Sequence, residues 1–213
     1  MKNTFFTYND IKSDYCGEYF LKPDFWWSRL YEYPFALNII KKDSVVLDAA
    51  CGSYHPFKYS LVDICKEVYA CDICDLSKAV VLKYTLRAFG SVAYAEKYFD
   101  KICFNQCDLT SLVYSDCKFD CIICISTFEH MNKDIQKLTL KEFCRTLKNN
   151  GTIVLTCDYP STIPEDIIKM VKEYNLEIDG DYNYNIPLNA ISSTYFGENL
   201  YCYSLVLKKM LGE

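Results

Sequence analysis

Val45-Val46-Leu47-Asp48-Ala49-Ala50-Cys51-Gly52 is an apolar run that ends in an acid, small residues and a glycine. A strand that stops at small residues lets its backbone come close to a ligand, because little side chain stands in the way. The next apolar run, Val68-Tyr69-Ala70-Cys71, closes on Asp72. A carboxylate at the end of the second strand is placed to accept from a ribose diol. The two runs together describe a nucleoside-binding crevice.

Working outward, apolar runs alternate with helical patterns. The spacing predicts strands at 45–49, 67–72, 102–107, 119–126 and 152–158, with helices at about 56–66, 76–89 and 133–148. This is the rhythm of parallel βαβ units. The third helix repeats Ile135, Leu138, Leu140, Phe143 and Leu147, then meets Asn149-Asn150-Gly151, a suitable left-handed exit. A last helix is expected over 164–174, and 199–208 alternates like a half-buried strand. Residues 90–101 and 179–198 carry no decisive pattern; the latter, with Pro187 and Gly197, reads as a long loop over a site or a disordered tip. Ahead of the first strand, Tyr15, Tyr19, Phe20, Phe25, Trp26, Trp27, Tyr31, Tyr33 and Phe35 have helix-compatible spacing interrupted by Pro23 and Pro34. Short helices are expected there.

A chain of 213 residues buries roughly 70% of the surface its unfolded form exposes, which suits one domain. With 19 Tyr and 13 Phe, some aromatics are expected to line a pocket. The net charge is -5, and no Lys/Arg run makes a stripe of positive potential, which argues against nucleic acid as a partner. No signal-like or membrane-spanning apolar run is present, so a soluble cytoplasmic protein is expected. There its thirteen cysteines are read as reduced thiols. Cys121 and Cys124 lie three apart on a strand and so face opposite ways, unable to share a metal easily. Cys71 and Cys74 bracket Asp72, and the same small buried role is assigned to them, with no metal site.

In order and spacing these segments resemble the class I S-adenosylmethionine (SAM) dependent methyltransferases over roughly residues 25–158. Val45 to Gly52 is similar to the family's first motif and Asp72 to its ribose-binding acid. Cys107-Asp108-Leu109 is similar to its adenine-contacting segment, and Phe119-Asp120 through Ser126-Thr127-Phe128-Glu129-His130 to its fourth-strand motif. Asn150 to Thr156 matches its turn and fifth strand. The departure is Ser53-Tyr54-His55-Pro56 after Gly52, where a second glycine is usual.

The resemblance implies a single α/β domain over 1–213. Its doubly wound, Rossmann-like, mostly parallel sheet would have seven strands, the last antiparallel. Residues 1–43 would form an amino-terminal helical cap, 44–158 the SAM-binding core and 159–213 a substrate-side region. For the cofactor it implies Arg29 on the SAM carboxylate, Asp48 on the ammonium or the loop, and Ala50 and Gly52 as the close-approach backbone. His55 would stand near the amino acid end, Asp72 on the ribose, Ile73 and Leu109 around the adenine, Asp108 on its amino group, and Ser126 at the fourth strand. His130 is the candidate general base, with Asp158 as a second proton acceptor, since imidazole titrates near neutrality. Trp26, Tyr33, Glu129 and Tyr159 are assigned to the substrate side. The expected reaction moves a methyl group to a small polar acceptor, oxygen favoured over nitrogen, leaving S-adenosylhomocysteine (SAH). A sugar of a surface-polysaccharide or natural-product pathway is the acceptor suggested by analogy.

Nucleic-acid or protein methylation is an alternative. The Asn-Pro-Pro-Tyr type of signature is missing after the fourth strand, where Ser126-Thr127-Phe128-Glu129 stands. A non-catalytic SAM-binding partner subunit is another. A nicotinamide oxidoreductase is disfavoured because no glycine follows Gly52 until Gly90, leaving a pyrophosphate without its backbone cradle. Oligomeric state is not legible.

Overall fold

Five of the apolar runs become parallel strands in the computed structural model, which describes residues 3–17, 19–20 and 26–210. They are β1 (Val45–Ala49), β2 (Glu67–Asp72), β3 (Ile102–Gln106), β4 (Phe119–Ile125) and β5 (Leu147–Tyr159). Three more strands of the same sheet follow, β6 (Leu176–Ile178), β7 (Ser192–Ser193) and β8 (Leu200–Lys209), while Tyr182–Asn183 pairs apart from it with Asn3–Thr4. Seven lie side by side in the order β3-β2-β1-β4-β5-β8-β7, with β8 antiparallel to β5, while β6 pairs another stretch of β8. This is the Rossmann-like α/β sheet expected, with an eighth short strand.

Period-two alternation sorts the strand residues onto two buried faces. On one, Leu47, Ile122, Leu155 and Leu205 pack with Leu140 and Phe143 of α5 (Lys133–Thr146) and Ile167 and Met170 of α6 (Pro164–Val171). On the other, Val46, Ile123 and Val154 pack with Ala36 of α1 (Arg29–Ile39) and Tyr59 of α2 (Phe57–Ser60). Val81 of α3 (Lys78–Phe89) and Tyr98 of α4 (Ala93–Phe99) complete that layer. Burial on both sides explains why these strands read as continuous apolar runs. Cys121 and Cys124 fall in opposite layers, as the alternation requires.

The amino-terminal region differs from expectation: α1 is its one helix among the described residues. Residues 3–7 are instead committed to the exposed edge of β8. Asn3 is buried, its Oδ1 accepting from the Val206 N–H at 2.6 Å, and Phe6 N–H donates to the Cys202 carbonyl at 2.9 Å. An unpaired edge needs such cover, and the extended chain supplies it where a helix could not. Tyr15–Cys16 then pairs antiparallel with Tyr19–Phe20. Pro34 sits inside α1 rather than ending it. It cannot donate to the Leu30 carbonyl, and the Ser13 N–H takes that acceptor at 2.8 Å. Pro23 and Phe25 lie outside the described residues.

Elsewhere α2 is shorter than predicted. The Asn149-Asn150-Gly151 stretch is an irregularity within β5 rather than the exit of α5, which ends at Thr146. Asn150 does adopt φ 59°, and the register slips between Phe119 and Cys121 opposite it. The stretch 90–101 contains α4, and 179–198 holds only two short strand pieces. Among the described residues no helix is long and apolar enough to cross a membrane.

One buried carboxylate fastens α1 to the sheet. Glu32, 0% exposed, accepts from Ser28 Oγ (2.8 Å) and Arg29 Nη1 (2.5 Å) on its own helix side. It also accepts from Ser126 Oγ (2.6 Å), Thr156 Oγ1 (2.5 Å) and Cys202 Sγ (3.5 Å). Burial alone would raise its pKa, but Arg29 and the hydroxyl donors outweigh that and hold it below the usual carboxylate range. Glu32→Gln turns an amide N–H₂ toward these donors and leaves the Arg29 charge without its partner. It should cost about 3–5 kcal/mol in urea-induced unfolding. Lys78→Met, which breaks the exposed pair with Asp100, should cost no more than about 1 kcal/mol.

Candidate active site

β1 pairs with β2 on one side and β4 on the other, so the chain order reverses there and a crevice opens at the carboxyl ends of these strands. A cleft of about 400 Å³ occupies it. Arg29, Asp48, Ala50, Gly52, His55, Asp72, Ile73, Asp108, Leu109 and Ser126 all line this cleft. The ten residues expected around the cofactor are thus brought together.

The loop after β1 works without a second glycine. Ala50 and Gly52 take left-handed φ values of 57° and 59°. That conformation costs a residue with Cβ roughly 1–2 kcal/mol, so something must hold Ala50 in it. Cys51 N–H donates to the Cys71 carbonyl, and Gly52 N–H to Asp72 Oδ2, both at 2.9 Å. Beneath the loop the wholly buried Lys58 donates from Nζ to the carbonyls of Cys51 (3.2 Å), Gly52 (2.8 Å) and His55 (2.5 Å). Three donors meet three acceptors, so this ammonium is buried at tolerable cost. A Cβ on Gly52 would come within 2.6 Å of His55 Cδ2.

Asp72 also accepts from the Cys74 N–H at 2.9 Å through Oδ1, which leaves each carboxylate oxygen a lone pair toward the cleft. Asp108 Oδ1 holds its own turn, accepting from Thr110 N–H and Oγ1 at 2.8 Å. Ile73 is 68% exposed at the mouth, while Leu109 is buried. His55 stacks on Trp26 with ring centroids 4.6 Å apart, and its Nδ1 lies 3.1 Å from Tyr33 Oη. Burial, with Arg29 and Lys58 nearby, pushes its pKa well below the ordinary imidazole value. His55 is therefore a neutral ring at physiological pH.

A second cleft, about 330 Å³, adjoins the first; Arg29 and Ser126 line both. Its other walls include Trp27, His130, Asp158, Ser161, Phe196 and Glu198. His130 and Asp158, the two expected catalytic residues, therefore face one space. Burial and Glu32 push Asp158 up to about 7, against the pull of Arg29. Behind it, burial and then Asp158 hold Glu129 well above the carboxylate range, as two neighbouring buried acids must. Asp48 is likewise lifted to about 7 by burial, with Lys58 opposing and Asp72 adding to the rise.

The residues expected on the substrate side are placed differently. Trp26 is buried behind His55, and Trp27 lines the second cleft in its stead. Tyr33 lines the first cleft. Glu129 lies under Asp158, accepting from its N–H at 3.3 Å, and lines neither. Tyr159 follows Asp158 on β5 and so projects to the other face, where it packs edge-on against Phe5 at 5.7 Å. Sequence reasoning does not reach Glu32, Lys58, Phe196 and Glu198 as individual residues; the signals present are a lone Lys in the otherwise uncharged Pro56-Phe57-Lys58-Tyr59-Ser60-Leu61 and, for Phe196 and Glu198, the stretch 179–198 with its reading as a loop over a site. Among the described residues no group of three His, Cys, Asp or Glu is arranged to hold a metal.

The raised acids make a prediction about stability. A carboxyl with a higher affinity for protons folded than unfolded stabilises the fold below its unfolded pKa and loses that contribution as pH rises through the folded value. For Asp48 and Asp158 the window runs from about 4 to about 7. Unfolding free energy should therefore fall between pH 5 and 7, by up to about 1.4 kcal/mol per pH unit for each site. Asp48→Asn should flatten the slope; a stability that rises across this range in denaturant titrations would contradict it.

Comparison with known proteins agrees with this geometry. An uncharacterized protein of Methanocaldococcus jannaschii is 29% identical over 181 residues, covering 80% of this chain and 68% of that protein. The TehB-like SAM-dependent methyltransferase of Corynebacterium glutamicum shares the fold with a TM-score of 0.60 at 16% identity, over 84% of this chain and 86% of the other. The 1,6-didemethyltoxoflavin-N1-methyltransferase of Burkholderia thailandensis, solved with SAH bound, does so with a TM-score of 0.57 at 13% identity, over 80% and 72%. Residues 47–155, just over half of the chain, match the family described as the methyltransferase domain. The chain belongs to that family and is a class I SAM-dependent methyltransferase.

Proposed function

We propose that this enzyme transfers the methyl group of SAM to a small polar molecule seated in the second cleft, in the cytoplasm. The observation that carries the reading is the junction: a cofactor-sized cleft and a smaller one share Arg29 and Ser126. When bound, SAM supplies a methyl group made electrophilic by its sulfonium. The chain's residues fit its parts. Arg29, kept charged by Glu32, suits the carboxylate, and Asp48 suits the ammonium. Asp72 retains lone pairs for the ribose, and Ile73 and Leu109 offer apolar surface to the adenine beside Asp108.

The enzyme's contribution is chiefly alignment, worth up to about 7–11 kcal/mol of barrier when the reacting atoms are well placed. Proton removal from the acceptor falls to Asp158. It is 8% exposed, faces the cleft, and is poised near neutrality, where a general base is most effective. His130 is exposed at the rim of the same cleft and serves the acceptor's outer part.

In calorimetry SAH should bind the purified protein, and Asp72→Asn or Gly52→Ala should weaken it at least about tenfold, or ~1.4 kcal/mol. Asp158→Asn should lower kcat about 10²-fold or more while SAH affinity holds, and His130→Ala should cost less than about tenfold. No heat and no thermal shift with either SAM or SAH would refute the assignment. Loss of kcat in His130→Ala alone would move the base to the imidazole.

A further inference from the structure

We infer that the acceptor reacts through an amine, presented with its N–H donors to Asp158 at the floor of the second cleft. This rests on the reading of the two clefts given above and narrows the chemistry of the molecule that fills the second. The first ground is an unfilled acceptor: Asp158 is 8% exposed and lines the cleft, yet its Oδ1 has no hydrogen-bond partner. A buried carboxylate oxygen left open at the wall of a cleft calls for a donor from whatever enters.

The second ground is what the neighbouring walls offer. Ser28 and Ser126 both spend their hydroxyl protons on Glu32, and Ser28 Oγ also accepts from Arg29, so neither offers a hydroxyl hydrogen to the cleft. Arg29 is the one Lys or Arg on these walls, and it is already paired with Glu32, whereas Asp158 and Glu198 are both acidic. Ser161 and the rim residue His130 are the other polar groups on these walls. At Asp158 and Glu198 an alcohol brings one proton; an ammonium brings two or three and the compensating charge. Trp27 and Phe196 complete the lining with aromatic surface, which favours a cation over a neutral hydroxyl.

The reaction then balances without a further reactant. The ammonium gives one N–H proton to the Asp158 carboxylate, and the nitrogen pair so freed forms a bond to the methyl carbon. The carbon–sulfur bond breaks with its electron pair left on sulfur. The products are an N-methylated ammonium, neutral SAH and protonated Asp158, which returns its proton to water. Burial and Glu32 raise the proton affinity of Asp158 toward neutrality, which suits it to both halves of this transfer.

The test compares benzylamine with benzyl alcohol, and phenethylamine with phenethyl alcohol, by calorimetry on SAH-loaded protein. Mass spectrometry then follows methyl transfer from SAM to the same four compounds. Each amine should bind at least about tenfold tighter than its alcohol and give an N-methyl product. Asp158→Asn should bring each pair within about threefold while SAH affinity stays unchanged, and Glu198→Gln should reduce the preference in part. Equal or tighter binding of the alcohols, a preference that survives in Asp158→Asn, or no binding of either amine at about 20 mM would overturn the inference. The initial SAH titration separates the two claims: failure there sinks the reading of the first cleft, whereas normal SAH binding with alcohol preference sinks only the amine.

Discussion

The carboxylate of Glu32 is the constraint on which the working parts depend. Burying an ion costs several kcal/mol even after the protein relaxes, and only a full set of well-placed donors offsets it. Here the donors come from Ser28 and Arg29 at the start of α1, Ser126 after β4, Thr156 on β5 and Cys202 on β8. None can shift without exposing the charge to an unmet need, so α1 has one seat on the sheet. Arg29 and Ser126 are also the residues shared by the two clefts. The group that ties helix to sheet therefore fixes the place where methyl donor and acceptor meet.

A second buried charge plays the matching part for the cofactor loop. Glycine-rich loops reach tight backbone geometry by having no Cβ to obstruct it. This loop has one glycine, and Ala50 takes a left-handed conformation beside it. Lys58 makes that tolerable from below by drawing three loop carbonyls onto one ammonium. The same cation sits near Asp48 and moderates the rise in its proton affinity. Glycine's freedom has been exchanged for a specific electrostatic tie, with less tolerance of substitution at Lys58.

What could be read from the sequence was what is local. Strands buried on both faces announce themselves as apolar runs, and residues at their carboxyl ends follow directly, which is why Asp48, Asp72 and Ser126 could be placed. The amino-terminal segment could not, because its conformation is decided some two hundred residues away, where Asn3 meets Val206. Aromatic spacing there fits a helix as well as a strand. Trp26 and Trp27 are chemically alike, and only the entry angle of α1 sends one behind His55 and the other into a cleft. On β5 a single step separates Asp158 from Tyr159 and puts them on different faces. Glu32 and Lys58 are hard to read for a general reason: such residues are almost always solvated, and the uncharged stretch around Lys58 is only a faint mark of the rare buried one.

The two clefts also differ in how far kinship informs them. The first is built mostly from residues inside the matched segment 47–155, including the loop after β1, Asp72, Asp108 and Ser126. The second draws Trp27, Ser28 and Arg29 from before that segment and Asp158, Ser161, Phe196, Glu198 and Leu200 from after it. Only Ser126 and His130 belong to both the segment and the second cleft. Membership of the family thus speaks for the methyl donor and leaves the acceptor to be argued from these outlying residues. Their chemistry leans one way: two carboxylates, a Ser28 hydroxyl already engaged as a donor and a guanidinium already paired, with the Ser161 hydroxyl beside them. A space whose innermost charged group is an open carboxylate discriminates there by what it lacks, since a ligand that brings an acceptor to Asp158 would set lone pairs against lone pairs across a low-dielectric gap.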